Sequence, residues 1–182
     1  MAGSSVPEAN SDTDYGQEKR CWYAVYTVVR HEKAADSALK QKQIETFLPL
    51  REITSQWKDR KKRVLLPLFP GYLFVNTTLD YKLNILNTPG IVRILGISGT
   101  PAPIPEDQID SIRKLLESKV PFDPHPYLKE GEMVIVTHGP LQGIVGRILE
   151  RRGLNKLILS VDLIKRAISV EVDIGMVEPI ES

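Results

Sequence analysis

The 182-residue sequence has a single cysteine, Cys21, so no disulfide can form within the chain, and a reducing compartment suits it. Its three histidines, His31, His125 and His138, stand at no metal-ligand spacing from a cysteine or from each other. A Gly-x-Ser-x-Gly elbow is absent, and the glycine-rich stretch GPLQGIVG at 139–146 lacks the Lys-Ser/Thr of a phosphate loop. No catalytic, metal or cofactor site is therefore expected, and the chain reads as a non-enzyme. Neither charge is in excess. The 24 Lys and Arg against 23 Asp and Glu leave a net +1, which argues against nucleic-acid binding over the whole surface but allows a local basic patch. No apolar run approaches the roughly 18–20 residues of a membrane-spanning helix. Residues 1–20 carry no apolar segment of the signal-peptide kind and read as a disordered polar tail. A soluble, cytoplasmic monomer with no membrane contact is the expectation.

What is present falls into two grammars. CWYAVYTVV (21–29) is aromatic and β-branched, as a central strand requires. HEKAADSALKQKQI (31–44) places Ala34, Ala35, Ala38 and Leu39 on one helical face. TFLPL (46–50), GYLFVNT (71–77) and GIVRILGI (90–97) read as strands, and LDYKLNILN (79–87) as a helix ended by Pro89-Gly90. EDQIDSIRKLLESK (106–119) reads as a helix with Ile109, Ile112, Leu115 and Leu116 on one face and acids at its positive end. Residues 21–119 thus form an α+β domain with helices packed against one sheet. Residues 120–129 (VPFDPHPYLK) have three prolines and no period, and read as a linker. Residues 130–182 hold four or five short strands, among them AISVEVD, where Ile168, Val170 and Val172 alternate with Ser169, Glu171 and Asp173. That pattern suits a small all-β barrel.

Three features suggest binding. The ring set Trp22, Tyr23, Tyr26, Phe69, Tyr72 and Phe74 clusters around LFPGYLFV. Side chains alternate across a strand, so Tyr72 and Phe74 share one face while Leu73 and Val75 share the other. With helices on the Leu73/Val75 face, the rings are left on an open one. For Trp22 or Phe74 taken alone, core packing is the better reading; together the rings favour a surface that a partner grips. The second feature is WKDRKKR, where Lys58, Arg60, Lys61, Lys62 and Arg63 crowd a hairpin tip with Trp57 beside them. Such a run is either a solvated face or a sequence-blind contact with phosphates. The third is SVDLIKRA, where Leu163 and Ile164 precede Lys165 and Arg166. It is either core or a docking patch rimmed by cations.

WYAVYT, HEKAA, LFPGYLFV, NTPGIVRILG with PAPIP, and EGEMVIVTHGPLQGIVGRI occur in an order that resembles the NusG family of transcription elongation factors across residues 21–180. The resemblance implies a ferredoxin-like NGN domain with an antiparallel sheet, followed by an SH3-like KOW barrel. It implies that Tyr26, Phe69, Tyr72 and Phe74, with Trp22 and Pro70, bind the β′ clamp helices of RNA polymerase. Tyr81, Lys82 and Asn84 would face the opposing gate loop, and the hairpin around Lys58–Arg63 would lie near upstream or non-template DNA. Leu163, Ile164 and Arg166 would contact a small-subunit ribosomal protein or Rho. Housekeeping members carry Phe-Gly where this chain has Ile164-Lys165. That departure counts against Rho, and the compact chain, LFPGYLFV in place of the housekeeping FFPGYVLV, and SVDLIKRA resemble the specialised, RfaH-like antiterminators and imply an operon-specific factor. The alternative is a ribosome- or RNA-associated KOW protein with no polymerase role. Gly143, Gly146 and Gly153 would each cost about 1 kcal/mol inside a helix, so the barrel is expected to hold its β fold.

Overall fold

The computed structural model describes residues 19–57, 60–125, 127, 131–151 and 154–180. The polar tail expected over residues 1–20 lies almost wholly outside them. In chain order the elements are β1 (Cys21–Thr27), α1 (Glu32–Gln41), β2 (Glu45–Phe47), β3 (Leu50–Trp57), β4 (Arg60–Pro67) and β5 (Tyr72–Thr77). There follow α2 (Lys82–Leu86), β6 (Ile91–Ile94), β7 (Gly96–Ile97), β8 (Thr100–Pro101), β9 (Pro103–Ile104) and α3 (Glu106–Ser118). The remainder is all β: β10 (Phe122–His125), β11 (Glu132–Val136), β12 (Val145–Arg151), β13 (Leu154–Val161), β14 (Arg166–Glu171) and β15 (Val177–Pro179).

The first sheet runs β2-β5-β1-β6, with β9 also on β1, and every pair is antiparallel. β1 lies inside it, which suits its aromatic and β-branched residues. One face carries Tyr23, Val25, Leu73 and Val75 and is sealed by Ala35 and Leu39 of α1 and Ile85 of α2. The other face was expected to be open, and it is not. Ile109, Ile112 and Leu115 of α3 pack against Trp22, Ala24 and Phe74, all buried. An apolar helical stripe must bury itself somewhere, and the aromatic face of the sheet is the nearest complement. The Arg113 guanidinium lies 5.5 Å from the Trp22 ring centroid and 5.2 Å from that of Phe47, which holds α3 in place.

The second sheet has the order β10-β14-β13-β12-β11-β15. Its first strand corrects the expected linker. Phe122–His125 pairs with β14, Phe122 opposite Val170 and His125 opposite Ala167. Only Lys119, Val120 and Pro121 join α3 to the barrel sheet. The strict alternation read in residues 167–173 is also softened, since Ser169 is buried between Asp123 and Ile158 of the flanking strands. Gly146 is required by close approach: a Cβ there would stand 2.7 Å from the Ile158 carbonyl oxygen.

The barrel rests on α3. Ser111 Oγ donates to the Val145 carbonyl (3.2 Å) and accepts from the Val145 N–H (3.3 Å). One apolar core runs from Trp22 and Phe74 through Ile109 and Ile112 to Val134, Leu157 and Ile164.

Candidate functional site

Phe69-Pro70-Gly71-Tyr72 is a tight turn closed by the Tyr72 N–H donating to the Phe69 carbonyl at 3.1 Å. Pro70 pre-sets the first bend, and Gly71 at φ +81° supplies the second, a conformation in which a Cβ is costly. Both peptide groups of Gly71 are occupied. Its carbonyl accepts from the Thr27 N–H at 2.8 Å, and its N–H donates to Glu32 Oε1 at 2.7 Å. The turn is therefore pinned to β1 on one side and to the first turn of α1 on the other.

The strand register then sets Tyr26 directly opposite Tyr72, with ring centroids 5.4 Å apart. Arg93, opposite Tyr26 on β6, brings its guanidinium 5.6 Å from the Tyr26 ring. Tyr26 and Tyr72 are half-buried, and Pro70 and Arg93 are exposed. The other rings are interior. Trp22 is 4% exposed, Phe69 2% and Phe74 0%. They interlock edge and face, Phe69 to Phe74 at 6.3 Å, Phe47 to Phe74 at 6.1 Å and Trp22 to Phe47 at 6.4 Å. The expected ring surface is thus a two-tyrosine corner above an aromatic floor. Beside it, a groove of about 390 Å³ between α1 and β4 is lined by Val29, Lys33, Leu65, Leu66 and Pro70.

The remaining candidates lie elsewhere. Tyr81, Lys82 and Asn84 are exposed, but they follow the far end of β5 from Tyr72. Six strand residues put them about 20 Å from the corner. Lys42 Nζ holds that segment by donating to the Asn84 carbonyl (2.9 Å) and to Thr88 Oγ1 (2.7 Å). β3 and β4 form a separate hairpin, in register from Leu50↔Pro67 to Trp57↔Arg60. Lys61, Lys62 and Arg63 on it are exposed, with Arg63 3.3 Å from Glu52, while Lys58 lies outside the described residues. In the barrel, Arg166 is exposed and Leu163 half-buried, but Ile164 is 6% exposed and belongs to the core. Lys165 sits at φ +50° and ψ +51°, a left-handed conformation.

Glu32, Arg93, Gln108 and Asp162 escaped the sequence reading. For Glu32 a signal existed, an acid at the start of the HEKAA helix, but such an acid is ordinarily ascribed to the helix dipole. Among the described residues, no group of three or more His, Cys, Asp or Glu stands where it could hold a metal ion. No helix there is long and apolar enough to cross a membrane.

A family model described as "Transcription termination factor nusG" matches residues 20–113. The "Transcription termination/antitermination protein NusG" of Thermus thermophilus is 29% identical, covering 86% of this chain and 96% of its own. The protein of the same name from Helicobacter pylori is 27% identical, covering 87% and 98%. Among solved structures, "Domain interaction in Thermotoga maritima NusG" is similar with a TM-score of 0.53 and 23% identity, covering 90% of this chain and 98% of that one. This last likeness concerns the fold.

Proposed function

The chain belongs to the NusG family, and from that premise we propose that it is a transcription elongation and antitermination factor that grips the β′ clamp helices of RNA polymerase at the Tyr26–Pro70–Tyr72 corner. One observation carries the reading: two half-buried tyrosines stand 5.4 Å apart beside an exposed proline, on a turn tied to both β1 and α1. Rigid rings with polar tips on a fixed support give up little entropy on binding and suit a packed helical partner. Phe69, Phe74 and Trp22 act from below, as the floor that keeps the rings in place.

Other surfaces extend the reading. Tyr81, Lys82 and Asn84, at the opposite end of β5, suit contact with a gate loop on the facing side of the DNA channel. A domain touching both sides would restrain the clamp and suppress pausing. Lys61, Lys62 and Arg63 suit the phosphate backbone of nearby DNA. On the barrel, Leu163 and Arg166 are left to meet a ribosomal protein or Rho, since Ile164 is spent on the core. A lysine held in the left-handed conformation at 165, where housekeeping members have glycine, supports a loop reworked for a specialised, operon-specific role.

Co-purification of the full chain with core RNA polymerase tests the proposal. Wild type should be retained and Tyr72→Ala depleted about tenfold or more, the worth of one buried ring. Retention on RNA or ribosomes with no polymerase recovered would instead support the ribosome- or RNA-associated reading.

A further inference from the structure

We propose that Glu32 is a positioning residue for the polymerase contact, holding the Pro70–Tyr72 turn at its binding angle through the Gly71 N–H; this rests on the corner reading above. Glu32 is 2% exposed, an unusual place for a carboxylate. Its Oε1 accepts from Gly71 at 2.7 Å across 39 residues of sequence. A well-packed apolar side chain would fill the same space without desolvating an acid, so stability alone does not account for it. Geometry does. Gly71 joins Pro70 to Tyr72 in the chain and lies against Tyr26. Its N–H faces α1, its carbonyl is held by Thr27 next to Tyr26, and a Cβ on it would stand 3.2 Å from Tyr26 Cε2. Peptide 70–71 is the link between the exposed proline and Tyr72. If it rotates, Pro70 and the Tyr72 ring move together relative to Tyr26. The Glu32 carboxylate, at the positive end of α1, fixes that rotation without meeting the partner itself.

The test uses the full-length chain and core RNA polymerase, with Glu32→Gln, Glu32→Asp, Glu32→Ala and, as the reference for the corner, Tyr72→Ala. Glutamine keeps an Oε1 acceptor at the same reach and should bind within about twofold of wild type. Aspartate keeps the charge but is one methylene short. Aspartate and alanine should each weaken binding roughly three- to tenfold, the worth of one hydrogen bond. The Gly71 amide proton resonance should move less in Glu32→Gln, which keeps a neutral acceptor in place, than in Glu32→Asp, which withdraws it, a readout that a general packing role would not split this way. If alanine fails to fold, the Gln–Asp contrast decides alone. Wild-type affinity in Glu32→Asp, or equal loss in Glu32→Gln and Glu32→Asp, overturns the role of Glu32 while a weakened Tyr72→Ala leaves the corner standing. Wild-type affinity in Tyr72→Ala overturns the corner, and the proposal with it.

Discussion

Gln108 and Asp162 are bonded twice, joining α3 to the barrel sheet. Gln108 Nε2 donates to Asp162 Oδ2 at 3.1 Å, and the Asp162 N–H donates to Gln108 Oε1 at 3.1 Å. Gln108 lies in the first turn of α3, and Asp162 opens the 3-10 turn that carries Leu163 and Ile164. The barrel loop expected to meet a partner is therefore tied to the helix that covers the aromatic floor. Lys114 Nζ adds a longer contact, 3.4 Å from the Gly143 carbonyl.

Gln108→Ala removes both bonds and should loosen the docked barrel by about 1–2 kcal/mol, since each is worth about 0.5–1.5 kcal/mol net. Trypsin cleavage after Lys119, in the three-residue connection, should accelerate while the melting of the barrel is unchanged. Equal cleavage rates in variant and wild type would mean that the apolar contacts alone hold the barrel on α3.

Tyr72→Ala and Phe74→Ala should separate surface from floor. The first should leave the thermal midpoint nearly unchanged and weaken polymerase binding about tenfold to a hundredfold. The second empties a fully buried site and should cost about 3–5 kcal/mol of stability, read by chemical denaturation. Loss of stability in Tyr72→Ala comparable to that in Phe74→Ala would move Tyr72 into the core.

Gly71→Ala introduces a Cβ where φ is +81°, 3.2 Å from the Tyr26 ring. It should cost about 1–2 kcal/mol, lowering the midpoint by roughly 2–8 °C in a chain of this size. An unchanged midpoint would rule out the positive-φ turn.

Ile164→Ala and Arg166→Ala make a similar pair in the barrel. The buried isoleucine should cost about 2–5 kcal/mol when truncated, and the exposed arginine less than about 0.5 kcal/mol. Denaturation of the full chain followed by barrel resonances reads both. Should Arg166→Ala be the more destabilising, the placement of this loop is wrong.

The Tyr127 phenol is pushed above its ordinary 10.0 by burial, then by the negative charge of Asp162 and a hydrogen bond to it, with Arg147 pulling the other way. A raised folded value means that the neutral phenol is favoured by folding. Its contribution is complete below pH 10 and lost as pH rises through the folded value. The ultraviolet difference titration between wild type and Tyr127→Phe should therefore lie above the free phenol, and Asp162→Asn should bring it down. A titration at or below the free value in wild type would contradict the Tyr127–Asp162 contact.

Much of this architecture is legible in residue order. The period of two in YLFVNT and the stripe Ile109, Ile112, Leu115 foretell a strand and a helix, and the Phe-Pro-Gly-Tyr turn is written in Pro70 and Gly71. The candidate site was legible only in outline. Trp22, Tyr26, Phe69, Tyr72 and Phe74 are one cluster in sequence, yet a single helix divides them into floor and corner. Nothing in the spacing of an apolar stripe names the surface it will cover. The strand at Phe122–His125 is hidden for a related reason: prolines break every local pattern there, but β14 offers an edge that an irregular segment can still pair with.

By itself the sequence determined the local choices, because strand and helix periods, turn glycines and the prolines that bend the chain act through neighbours a few residues away. The tertiary structure alone decided which rings meet water, that an acid at the start of α1 holds a glycine 39 residues on, and that the barrel lies on α3. Those outcomes depend on which apolar surfaces find each other when the chain closes, and burial is a property of the whole packed molecule rather than of any stretch of it.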